Sequence, residues 1–183
     1  MKILDQPLPG ILVLEPKIWN DDRGYFYESF SSEFFKNLNI NLDFVQDNQS
    51  FSHKGALRGL HFQNPPFAQG KLIRVIQGRV LDVVVDIRKG SPYYGKNFSL
   101  ELSGKNHLQM WISPGFAHGF ETLEDETIFC YKCTNGYNKE SEGGIFWNDE
   151  SLDINWKTEN PIVSEKDQIL PLLNTLNSQF TYS

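Results

Sequence analysis

Cysteine is nearly missing from this chain: two in 183 residues cannot lace together a disulfide framework. Long apolar runs are missing too. The densest, Val80 to Ile87, is interrupted by Asp82 and Asp86 and falls well short of a membrane span. Positive charge is in deficit: Lys+Arg number 17 against 23 Asp+Glu, a net charge of −6, which excludes a general nucleic-acid binder. Basic groups that matter here must act locally. Repeats, low-complexity tracts and linkers are also absent, so the reading is one domain over residues 1–183. The opening MKILDQPLPG meets Asp5 and two prolines before a signal-peptide core forms. Together these absences predict a soluble, cytoplasmic protein with neither a membrane nor a nucleic-acid partner.

What is plentiful is aromatic: 14% of residues, with 14 Phe, inside a hydrophobic share of 39%. That supports a sizeable core and favours strands. Ile11 to Leu14 and Tyr25 to Phe30 read as strands, and Phe44 to Phe51 follows with its polar run Gln46-Asp47-Asn48-Gln49. Lys71 to Ile76 and Val80 to Ile87 read as a hairpin around Gln77-Gly78. Period two puts Leu81, Val83, Val85 and Ile87 on one face of its second arm, with Asp82, Val84 and Asp86 on the other. Phe98 to Leu102, His107 to Ile112 and Thr127 to Cys133 follow at turn-separated intervals. Without helical stretches between them, such strands predict an antiparallel sandwich or barrel. Ser31 and Ser32 can cap a short helix carrying Phe34, Phe35 and Leu38 inward. Ser164 to Asp167 signals another, which Pro171 keeps short.

The stretch from Gly55 to Lys71 gathers Arg58, His61, Gln63 and Lys71 around Gly59 and Pro65-Pro66. In so acidic a protein the cluster needs a reason. A basic strand edge explains Arg58 and Lys71 but not His61 between Leu60 and Phe62. An anion-binding pocket with a base inside it explains all of them.

A second candidate is Pro114 to Phe120, where a turn delivers His118 into or beside a sheet. Alone it reads as a structural histidine; with His61 on another glycine-bracketed segment, a shared site follows. His53 and His107 have polar surroundings and read as surface. The ligand inventory argues against a metal: His61-x-Gln63 lacks a second imidazole, no acid lies between Asn64 and Gly70, and Lys71 repels a divalent ion. Cys130 and Cys133 form a CxxC in a β-type run, where residues three apart face opposite ways, against redox or zinc use. Tyr131 shares a face with Thr127 and Phe129, so its hydroxyl either reaches a barrel interior or tips a core ring; Tyr137 has the same two readings. Asp167 stands three residues after Ser164, as a capping acid does, and could equally orient His61.

Several motifs occur together in order. They include Asp21-x-Arg23-Gly24, Gln46-Asp47-Asn48-x-Ser50, Leu57-Arg58-Gly59-Leu60-His61-x-Gln63 and Lys71-Leu72-x-Arg74-Val75. Asp82-Val83-x-Val85-Asp86-x-Arg88, Ser91-Pro92, Pro114-x-x-Ala117-His118-Gly119-Phe120, Trp147-Asn148-Asp149 and Ser164-x-Lys166-Asp167 follow. From about Pro9 to Pro171 the chain resembles the dTDP-4-dehydrorhamnose 3,5-epimerase family, with no departure at the main catalytic motif positions. The resemblance implies an all-β, cupin-like jelly-roll barrel of antiparallel strands, with short peripheral helices near both termini. It implies a homodimer that uses neither a metal nor a nicotinamide cofactor. It implies His61 as general base, Asp167 as the carboxylate that orients it, Tyr131 as the opposing acid and Lys71 as the cation beside the ketone oxygen. Arg23, Glu28, Gln46, Asn48, Arg58, His118, Glu142 and Lys166 correspond to sugar-nucleotide contacts. Gln63 and Tyr137 join that expected set, as does Phe26, whose ring suits stacking on a thymine.

The expected reaction is epimerisation of dTDP-4-dehydro-6-deoxy-D-glucose at C3 and C5, giving dTDP-4-dehydro-L-rhamnose. A ketone acidifies the adjacent C–H, so a neutral histidine can take the proton near pH 7 and a phenol across the ring can return one. Charge builds on the ketone oxygen, where an ammonium acts. Three other readings remain: a mono-epimerase acting at C3 or C5 alone, a non-catalytic sugar-nucleotide-binding jelly roll, and a metal-dependent cupin oxygenase.

Overall fold

The computed structural model describes residues 1–40 and 43–182. In chain order the first strands are β1 (Lys2–Asp5), β2 (Ile11–Glu15), β3 (Ile18–Asp21) and β4 (Gly24–Tyr27), followed by helix α1 (Ser32–Asn37). Then come β5 (Gln46–Ser52), β6 (Ala56–Gln63), β7 (Lys71–Gln77), β8 (Arg79–Asp86) and β9 (Asn97–Ser103). The remainder are β10 (Gln109–Ile112), β11 (Phe116–Thr122), β12 (Thr127–Cys133), β13 (Glu142–Gly144), β14 (Ile162–Val163) and helix α2 (Glu165–Gln168). Two sheets carry the fold. One runs β1-β2-β10-β7-β12-β5, and the other runs β13-β6-β11-β8-β9 with β14 added beside β6. Strands β3 and β4 form a separate two-stranded ribbon. This is the expected all-β, cupin-like jelly roll. Among the described residues no helix is long and apolar enough to cross a membrane.

The two sheets close on an apolar interior that includes Ile73, Val75, Val84, Met110, Phe120 and Phe129. Each such large side chain contributes roughly 1.5–3 kcal/mol by leaving water. Strand β8 is buried on both faces. Val80 and Val84 join this interior, whereas Leu81, Val83, Val85 and Ile87 pack outward against Leu60, Phe62 and Ile145. The period-two reading of that strand therefore holds. A third cluster sits outside the first sheet, where α1 seats Phe35 against Leu12, Leu14 and Trp111. Ser31 caps α1 by accepting the Phe34 N–H at 3.4 Å, as its position predicts.

Two expectations need correction. Strands β7 and β8 are not a hairpin: β7 pairs with β10 and β12, and β8 pairs with β9 and β11 in the other sheet. Gly78, at φ +76, turns the corner from one sheet to the other, and Thr127 Oγ1 lies only 2.2 Å from where a Cβ would stand. The turn signal is genuine, but it links layers rather than neighbours. The second correction concerns strand direction, because β14 runs parallel to β6. The Pro114 to Phe120 segment does deliver His118 into a sheet: a turn at Pro114-Gly115 leads into the buried strand Phe116–Thr122 between β6 and β8.

Candidate active site

The cleft opens on the inner face of β6, at the edge of the inter-sheet space. Glycine makes this possible. Gly59 has φ +129, and a Cβ there would lie 2.5 Å from the Gly119 Cα on the neighbouring strand. With glycine on both strands the backbones touch, and the β6–β11 register shifts between His118 and Phe120. His61 therefore stands directly across from His118, and Arg58 across from Phe120. A cavity of about 600 Å³ lies over them, bounded also by Lys71, Tyr131, Asn48 and Asp167.

His61 Nε2 is 2.6 Å from Asp167 Oδ1. The other carboxylate oxygen accepts the Gly59 N–H at 3.3 Å. Asp167 belongs to α2, whose N-cap Ser164 accepts the Asp167 N–H at 3.2 Å. Both readings of Asp167 therefore meet in one turn: the serine anchors its backbone and the carboxylate faces the histidine. Burial alone would raise the Asp167 pKa. Hydrogen bonds from His61 and the Gly59 N–H, with the His61 charge, outweigh burial and hold the carboxyl below its ordinary value.

Tyr131 projects inward from β12, and the Lys71 ammonium lies 5.9 Å from its ring centroid. Burial pushes the Tyr131 phenol up, so it keeps its proton at neutral pH. Burial likewise pulls the Lys71 pKa down, opposed by Cys133, Asp82 and Glu142. Below this layer His118 Nε2 lies 2.9 and 3.1 Å from the two oxygens of Asp82. Burial lowers the His118 pKa and raises that of Asp82, while each partner opposes the other's shift.

A side lobe of about 160 Å³ shares His61, Lys71 and Tyr131 and continues to the rim. There Lys166 pairs with Glu142, and the Tyr137 hydroxyl donates to Glu142 at 3.0 Å. Burial would raise the Glu142 pKa, but Lys166 and Tyr137 keep it lowered. The Tyr137 N–H donates to Gln46 Oε1 at 2.9 Å, and Gln46 Nε2 donates to Asn48 Oδ1 at 2.9 Å. Arg58 reaches the Ser52 hydroxyl at 3.3 Å and stays otherwise exposed.

The fold thus brings together His61, Asp167, Tyr131, Lys71, His118, Arg58, Asn48, Gln46, Tyr137, Glu142 and Lys166. Four expected residues lie apart. Gln63 is buried, and its amide is spent on backbone: Nε2 donates to the Phe67 and Gly136 carbonyls, and Oε1 accepts the Asn138 N–H. It braces the loop that carries Tyr137. Arg23 and Phe26 sit on the β3–β4 ribbon, and Glu28 follows it, all exposed. Arg23 is folded back on Asp21 at 2.6 Å. His107, expected at the surface, is half-buried with its ring 4.9 Å from that of Tyr25. Among the described residues no three His, Cys, Asp or Glu side chains converge to hold a metal ion. Cys130 and Cys133 are both free thiols.

Two residues outside the expected contact set support the site: Ser164 lines the cleft and anchors Asp167, and Asp82 lies beneath it against His118. Asp82 carries a signal, an acid flanked by the apolar residues Val80, Leu81, Val83, Val84 and Val85.

Comparison with known proteins follows the same lines. Residues 5–175 match the family described as dTDP-4-dehydrorhamnose 3,5-epimerase. A Shigella flexneri protein of that name is 49% identical over 168 residues, covering 91% of this chain and 93% of its own. A Legionella pneumophila dTDP-6-deoxy-D-glucose-3,5-epimerase, solved in complex with dTDP-4-keto-L-rhamnose, superposes with a TM-score of 0.95. It is 45% identical and covers 100% of this chain and 98% of its own. A 3'-monoepimerase from Streptomyces bikiniensis, solved with dTDP-quinovose, gives a TM-score of 0.89 at 32% identity, covering 93% of this chain and 87% of its own.

Proposed function

Because this chain belongs to the dTDP-4-dehydrorhamnose 3,5-epimerase family, we propose that it converts dTDP-4-dehydro-6-deoxy-D-glucose to dTDP-4-dehydro-L-rhamnose by epimerising C3 and C5. The observation that carries the reading is the pair His61–Asp167 at 2.6 Å, set in one cleft with the protonated phenol of Tyr131.

In this mechanism Asp167 accepts Nε2–H and fixes the tautomer, leaving the Nδ1 lone pair of His61 to take the proton beside the ketone. The electron pair moves into an enolate, and negative charge develops on the ketone oxygen. Lys71, as ammonium, stabilises that charge where water is excluded. Tyr131 then returns a proton to the carbon, and the configuration inverts. Solvent then takes the proton from His61 and restores the one Tyr131 gave, and the exchange repeats at the second carbon. Arg58 suits the diphosphate, which guanidinium binds through paired donors. Tyr137, Glu142 and Lys166 form the rim that would hold the nucleoside end.

The same reading makes the protein a homodimer. Arg23, Phe26 and Glu28 lie off the cleft of their own chain, on an exposed ribbon that a second copy could receive. One domain over residues 1–183 completes the proposal.

The test is proton NMR of the ketosugar nucleotide with purified protein in D2O. Deuterium at both C3 and C5, with the L-ketosugar trapped by a reductase, is the expected result. Deuterium at one carbon makes the protein a mono-epimerase. Nucleotide binding without exchange overturns the catalytic reading.

A further inference from the structure

A carboxylate stands where the inter-sheet space is otherwise apolar. Asp82 is fully buried at the centre of β8, on the face that sends Val80 and Val84 into the interior. Ionising an acid there is costly unless something compensates it. His118 compensates directly, through Nε2 to both oxygens. Asp82 does not line the cleft; His118, which it holds, does.

Lys71 poses the complementary problem. The enolate mechanism needs its ammonium, yet the side chain is half-buried in the cleft wall, and among the described residues no carboxylate lies within 4.0 Å of it. Its titratable surroundings are Tyr131 and Cys133 on β12, His61 on β6, Asp82 on β8, His118 on β11 and Glu142 on β13. Arg58, on β6, adds positive charge across the cleft. Of these, the phenol and thiol are neutral near pH 7, and Glu142 is already paired with Lys166. Asp82 is the remaining acid; among the described residues its side-chain hydrogen-bond partner is His118, whose pKa burial lowers.

We propose that Asp82 is a positioning residue: its carboxylate, sealed beneath the floor, holds His118 by Nε2 and supplies the buried negative charge against which Lys71 keeps its ammonium. This rests on the reading of Lys71 as the cation at the ketone oxygen. It gives the two His–Asp pairs different work. Asp167 readies a base, whereas Asp82 sets the charge of the floor. It also makes Nε2 of neutral His118 a committed donor, leaving Nδ1 as an acceptor for a sugar hydroxyl.

The test is an NMR titration of protein labelled at lysine Cε, with the Lys71 signal assigned through Lys71→Met. In Asp82→Asn the Lys71 midpoint should fall by about one pH unit or more, the scale of one nearby opposite charge. Asp82→Glu, which keeps the charge, should bring it back toward the parent value. In turnover the alkaline limb of kcat should move with the midpoint. kcat should drop about tenfold at pH 8 while KM changes less than about threefold, the split expected when only transition-state charge stabilisation is lost. An unchanged Lys71 midpoint in folded Asp82→Asn overturns the proposal. So does a parent protein whose Asp82 carboxyl, followed by 13Cγ NMR, is protonated at pH 7; that measurement needs no variant to fold. Both titrations are independent of turnover. A parent that titrates as expected but exchanges no protons counts against the proposed function instead.

Discussion

His61 and Tyr131 differ in the groups that face them, and that difference assigns their roles. A carboxylate held below its ordinary pKa beside His61 fixes one ring nitrogen as donor, while burial keeps the Tyr131 phenol protonated. His61→Asn should therefore lower deuterium incorporation by roughly 10²–10⁴-fold, the range for a lost general base, with nucleotide binding retained. Full exchange in a folded His61→Asn variant would remove the base from this position. Tyr131→Phe should separate the two half-reactions. Exchange should continue from the His61 side, but the trapped L-ketosugar should fall at least about tenfold, and unchanged yield and stereochemistry would count against it. Asp167 adds a pH signature. Its folded pKa is lowered, so its contribution to stability is present above the ordinary carboxylate pKa and is lost as pH falls through the folded value. The urea midpoint of Asp167→Asn should thus lie below that of the parent at pH 7, and the gap should close toward pH 2. A gap independent of pH would contradict an ionised Asp167 stabilised in the fold. At this scale the sequence was most legible where an ionisable residue broke an apolar or glycine-bracketed segment, as His61, His118 and Lys71 do. For Gln63 nothing local reveals that its amide bonds the backbone of Phe67, Gly136 and Asn138.

Strands β6 and β11 do their work by close approach. The Gly59 N–H reaches Asp167, and the Gly59 Cα packs on Gly119. Gly59→Ala would need a Cβ 2.5 Å from the Gly119 backbone at a φ of +129, and neither strand can yield without shifting His61. We expect a loss of stability on the order of 3 kcal/mol and a fall in kcat, measured by urea unfolding and the exchange assay. An active, stable Gly59→Ala protein would show that the close contact does not place the base. Elements are legible where alternation is strong: the bounds of Thr127–Cys133 and both faces of β8 follow from the sequence pattern. The β7–β8 connection was not legible. A Gln-Gly turn looks the same whether the flanking strands pair or part, and the partners that decide it, β9 to β12, lie farther along the chain. The isolated parallel contact of β14 with β6 is likewise fixed by how the C-terminal segment returns to the cleft.

On the whole molecule the ribbon is the part that its own chain does not explain. Trp19, Tyr25 and Phe26 stand 48, 57 and 69% exposed, an aromatic surface that a lone protein in water rarely keeps. Arg23 and Glu28 accompany it, away from the only cleft that holds His61 among the described residues. If a second copy receives the ribbon, each active site draws on two chains, and inactive variants should rescue each other. His61→Asn keeps a sound ribbon and loses its base; Arg23→Ala keeps its base and loses a binding group. Mixed, unfolded and refolded together at equal amounts, random pairing gives half of the dimers one chain of each kind. Each of those holds one intact site, so about a quarter of all sites regain the parent rate under two-fold symmetry. If ribbon and cleft belonged to the same chain, no mixed dimer would contain an intact site, and the mixture would be no better than the average of its parts. Sedimentation of the parent chain sets the condition for this test, because a monomer with full exchange activity would rule out a shared site before any mixing.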